Sequence, residues 1–119
     1  MSHTVTIQAE LKDPAALEAA CRRLHLPQPT RGKIQLFDRV AEGTGVQLDG
    51  WRFPICLTDR GELLYDHFGG FWGLPERLDE FRQAYAIEKT RLEARRQGFP
   101  CQEVTLPDGS VRLTIQVEG

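Results

Sequence analysis

The chain has 119 residues, a formal net charge of −2, 40% hydrophobic and 27% charged residues. That length suits one domain with its own core, and that composition excludes an intrinsically disordered chain. The balance of charge gives no global positive field to draw nucleic acid or an anionic membrane, and no apolar run approaches the roughly 18 residues that span a bilayer.

Residues 4–11 alternate, with Val5, Ile7 and Ala9 on one side and Thr4, Thr6, Gln8 and Glu10 on the other, which predicts a half-buried strand. Asp13-Pro14 reads as an N-cap followed by proline at the first helical position. Leu17, Ala20, Cys21 and Leu24 then define one helical face, and Pro27 and Pro29 bar its continuation. Residues 33–37 read as a short strand and residues 41–45 as a glycine-bearing loop. Residues 46–48, 51–57 and 62–65 read as three strands, the first two joined by a tight Asp49-Gly50 turn.

After the glycine and aromatic segment at residues 68–73, a long helix is expected from Leu74 or Pro75 to about Gln97. Its apolar stripe is Leu78, Phe81, Tyr85 and Leu92. Acidic residues lie near its start and arginines near its end, which suits the helix dipole, and Gly98 is placed to end it. Residues 101–106 and 110–117 flank Pro107-Asp108-Gly109, and Val111, Leu113, Ile115 and Val117 alternate strictly. The expected architecture is a single α+β domain over residues 1–119. It has a mostly antiparallel sheet with two helices packed on one face, in the order β-α-β-β-β-β-α-β-β.

Chemistry-bearing motifs are scarce. Cys21, Cys56 and Cys101 are odd in number and widely spaced, which disfavours disulfides or cysteine-based zinc and suits a reducing cytosol. Met1-Ser2-His3-Thr4 carries no signal-peptide pattern. His3, His25 and His67 sit on separate elements without ligand spacing, so no metal and no cofactor are expected. Asp66-His67 is the obvious enzyme hypothesis, but neighbours on a strand face opposite ways and no G-x-S-x-G serine completes a triad, so no catalytic residue is assigned. Gly69-Gly70 lacks the lysine and the spacing of a phosphate loop. Arg91, Arg95 and Arg96, with Arg22 and Arg23, form the alternative nucleic-acid surface, although Glu88 and Glu93 interrupt them. Cys56, between apolar neighbours, reads as core.

The aromatic residues stand out. Trp51, Phe53, Tyr65, Phe68, Phe71 and Trp72 crowd the middle of the chain. They pack either as core against the long helix or as a surface for a partner, since Trp and Tyr are favoured at interfaces. Trp51, Phe68, Phe71 and Trp72 are the candidate partner-binding residues.

Gln83-Ala84-Tyr85-Ala86, Ala94-Arg95-Arg96-Gln97-Gly98-Phe99 and Asp108-Gly109-Ser110-Val111-Arg112-Leu113, together with Met1-Ser2-His3 and Lys12-Asp13, resemble domain-of-unknown-function family 1257. That family includes the hypothetical chloroplast reading frame 35 proteins. The pattern Tyr65-Asp66, Phe68-Gly69-Gly70, Trp72-Gly73 is similar to bacterial members. The resemblance supplies no reaction. It implies an accessory role, because genes of the family accompany those of AAA-type ATPases. The expectation is a cytosolic adaptor or accessory subunit with a protein partner or a second copy of itself.

Overall fold

A computed structural model describes residues 5–8, 11–66 and 68–116. The chain runs β1 (Val5–Gln8), α1 (Pro14–Arg23), β2 (Thr30–Gln35), β3 (Val40–Val46), β4 (Ile55–Leu57), β5 (Glu62–Tyr65), α2 (Pro75–Arg96), β6 (Cys101–Thr105) and β7 (Val111–Ile115). A 3-10 turn, Phe68–Gly70, precedes α2. The first five strands form an antiparallel sheet in the order β1-β5-β4-β3-β2, and β6 and β7 form a separate two-stranded sheet. The α+β class and the element order are as expected, but the strands are divided between two sheets.

Strand alternation sorts the core. Ile55, Leu57 and Leu63 turn to one face with Val46, where Leu17, Ala20 and Cys21 of α1 and Leu78, Phe81, Ala84 and Tyr85 of α2 meet them. Cys56 and Leu64 point to the opposite face and pack with Ile34 and Leu36. Both helices therefore lie on one face of the larger sheet. Leu92 packs at the margin of the same core.

Helix termini follow local chemistry. Asp13 caps α1 by accepting from the N–H groups of Ala15 and Ala16 at 3.0 and 3.4 Å. Gly98, in the left-handed region at φ 78°, ends α2 as expected, with the Phe99 N–H donating to the Ala94 carbonyl. The end of α1 differs from expectation. His25 takes the left-handed position at φ 58°, with the Leu26 N–H donating to the Cys21 carbonyl, so the helix stops before Pro27 and Pro29 are reached.

The middle strands also differ. Residues 41–45, expected as a loop, belong to β3, which pairs with β2 across a turn closed by the Leu36 N–H to the Arg39 carbonyl. The glycines there serve close approach within the sheet. A Cβ on Gly43 would lie 2.3 Å from the Leu57 carbonyl oxygen. Asp49-Gly50 makes a turn but not a hairpin, because residues 47–54 are a connection and only Ile55–Leu57 joins the sheet.

The same Asp13 that caps α1 binds it to α2. Its Oδ2 accepts from Lys89 Nζ at 2.9 Å and Arg96 Nη2 at 3.2 Å, and its own N–H donates to the Tyr85 hydroxyl at 3.0 Å. The Lys89 bond, with help from the two backbone N–H groups, holds the carboxyl down at about 2. A depressed carboxyl stabilises the fold above its unfolded value, 3.8, and loses that contribution as pH falls through about 2. Asp13→Asn keeps a good cap but removes the charge. We expect it to be less stable than the native chain at neutral pH, with the difference vanishing between pH 4 and 2. Urea titrations of both proteins across that range check it.

Candidate functional site

The connection 47–54 and the turn before α2 lie side by side, joined by the Arg52 N–H donating to the Trp72 carbonyl at 2.7 Å. This brings five rings into contact. Trp72 sits 4.7 Å from Phe37, 5.3 Å from Phe53 and 4.8 Å from Phe68, and Phe71 sits 5.5 Å from Phe68. The Arg52 guanidinium lies 5.4 Å from the Trp72 ring and 5.9 Å from that of Phe53, within cation–π range.

The cluster is at the surface. Phe71 is 85% exposed, Phe37 45% and Phe68 38%; Phe53 and Trp72 are half-buried. Val40 and Leu74, elsewhere in the chain, are also more than half exposed. Phe68 has the left-handed backbone φ of 48°, costly for a bulky residue, and its N–H donates to Asp66 Oδ1 at 3.0 Å. That bond ties the buried Asp66 to the turn that presents the rings.

Trp51 is separate. It is 4% exposed, its Nε1–H donates to the Leu74 carbonyl at 3.0 Å, and its indole packs on Gly73, where an added Cβ would lie 2.5 Å from the ring. Trp51 is therefore core, and of the four candidate partner-binding residues the structure groups Phe68, Phe71 and Trp72. Phe37 joins them unforeseen, and Phe53 comes from the wider aromatic set. Gly73 is explained by Trp51 inside the molecule. Tyr65, 5.9 Å from Trp51, packs against the core as well.

The other candidates disperse. His3 and His67 lie outside the described residues. His25 terminates α1. Among the described residues no three His, Cys, Asp or Glu side chains gather as a metal site. Burial pushes the Cys21 thiol up to about 11 and also raises Cys56, opposite to the shift that makes a nucleophilic thiolate. A cleft of about 480 Å³ beside α1 is lined by Leu17, Thr30, Thr44 and Leu57, and its Arg31 and Asp59 pair with each other at 2.6 Å. Among the described residues its lining contains no histidine or cysteine.

At the end of α2, Arg91 and Arg96 are engaged with carboxylates, while Arg95 is exposed. Arg91 lies 3.4 Å from Glu103 and 3.8 Å from Glu88; Arg96 lies 2.6 Å from Glu93 and 3.2 Å from Asp13. Arg23 grips Glu103 through both guanidinium nitrogens at 2.9 and 2.7 Å, which holds the Glu103 carboxyl below its usual range. Phosphate contact through Arg23, Arg91 or Arg96 would have to break these pairs, whereas phosphate-driven binding depends on cations free to displace counterions. We expect no retention of single- or double-stranded oligonucleotides at physiological salt. Micromolar binding abolished by replacing Arg91, Arg95 and Arg96 together would show the opposite.

The fold and this site define an α+β protein with helices on one face of an antiparallel sheet and an aromatic cluster on its surface. Comparison with models of protein families, with curated proteins and with solved structures finds no match. No helix among the described residues is long and apolar enough to cross a membrane.

Proposed function

We propose that this chain is a non-catalytic adaptor or accessory subunit that works in the cytosol and docks a protein partner on the surface formed by Phe37, Phe53, Phe68, Phe71 and Trp72. The observation that carries this reading is the exposure of Phe71 and Phe37 within one continuous set of ring contacts. Exposed apolar clusters of this kind mark interaction sites. Phe, Trp and Arg are also the residue types enriched where binding energy concentrates. Arg52 at the cluster's margin favours a partner that brings apolar side chains with an acidic group beside them.

The likeness to domain-of-unknown-function family 1257 makes an AAA-type ATPase the first partner to test. Affinity purification from the native host should recover a partner with the wild-type chain and lose it with Phe71→Ser at unchanged thermal stability. Equal recovery with both would count against the reading.

A further inference from the structure

The β6–β7 hairpin is a two-stranded sheet, a size that is marginal by itself. The Leu106 N–H donates to the Ser110 carbonyl and the Gln116 N–H to the Pro100 carbonyl. In an antiparallel ladder the residues that exchange bonds alternate. Even-numbered residues of β7 thus turn their backbone groups toward β6, and Val111, Leu113 and Ile115 turn theirs to the outer edge. Among the described residues no strand pairs with that edge.

We propose that the outer edge of β7 pairs antiparallel with β7 of a second copy of this chain, about a two-fold axis at Leu113. In that register Leu113 faces Leu113 of the second copy, Val111 faces Ile115, and Arg112 faces Thr114. All three outward N–H groups and all three outward carbonyls of each copy are then bonded. The two hairpins become one four-stranded sheet, with Val111, Leu113 and Ile115 of both copies continuous on one face.

Among the edges of β2, β6 and β7, charge favours β7 and this register. Moving the axis to Arg112 would oppose two arginines, an unfavourable cross-strand pair. Symmetric pairing of β6 about Glu103 would oppose two carboxylates that already serve Arg23 and Arg91. The β2 edge carries Arg31 and Lys33, the kind of charge that guards a strand edge. The β7 edge has a single charge, no proline and, among the described residues, no paired strand.

Three substitutions test it by sedimentation over a micromolar to millimolar series. Ile115→Pro removes an outward N–H and spares the bonds to β6, so the dimer should be lost with circular dichroism unchanged. Thr114 is exposed and lies opposite the neutral Gln102 of β6, so a charge there opposes no like charge across the hairpin. Thr114→Glu places a carboxylate opposite Arg112 of the other copy, twice per dimer, and should tighten dimerisation about two- to tenfold; Thr114→Arg should weaken it by a similar factor. A monomer throughout the series would overturn the proposal. So would a dimer indifferent to both Thr114 substitutions, including one dispersed by Phe71→Ser, which would place self-association on the aromatic surface.

Discussion

Replacing Trp51 by alanine should lower the stability of the fold by about 3–5 kcal/mol, the usual cost of truncating a buried large aromatic. The indole fills the space that Gly73 leaves, and its N–H satisfies the Leu74 carbonyl at the N-terminal boundary of α2. Deleting the ring opens a cavity beneath the turn that carries Phe71 and Trp72, and leaves that carbonyl without its indole donor. Trp51→Phe should lose less, because it keeps most of the packing and gives up the hydrogen bond. Urea denaturation of the three proteins measures the difference. A loss under about 1 kcal/mol for Trp51→Ala would mean that the ring is not the keystone of this junction.

The second large effect should fall on binding and spare the fold. Phe71 is 85% exposed and touches the cluster through Phe68, so Phe71→Ser should change stability by no more than about 0.5 kcal/mol. If Phe71 anchors a partner, the same change should weaken association by at least about 2 kcal/mol, roughly thirtyfold. Trp72→Ala should also weaken binding, but with a stability cost of about 1 kcal/mol, since its ring contacts Phe37, Phe53 and Phe68. Separating the two effects requires a melting curve and a titration on the same samples.

These two tryptophans show where sequence reasoning stops. Both sit beside glycine in an aromatic-rich stretch, and nothing local separates them. What separates them is the packing of Trp51 on Gly73, a contact between positions far apart in the chain. The helices were legible because their signals are local: the Asp13-Pro14 start, the Gly98 stop, and the stripe of Phe81 and Tyr85. β7 was legible through its strict alternation. The β2–β3 hairpin was not, because Gly43 and Gly45 look like loop residues until the approach of Leu57 and Ile34 shows why a side chain cannot fit. Phe37 was missed for a related reason. It looked like the end of a strand, and only the turn at residues 36–39 carries it to Trp72. The carboxylate partners of the arginines were hidden too, since Glu103 and Asp13 reach them from other elements.

The most direct test of the central claim is site-specific photocrosslinking in the native host. A benzophenone amino acid would replace Phe71 in one version of the chain and Gln83, exposed on α2, in another. Irradiation should join the probe at position 71 to one protein in high yield, the same protein that Phe71→Ser fails to recover, while the probe at position 83 gives no such product. Equal crosslinking from both positions, or none from position 71 while the chain still recovers its partner, would contradict it.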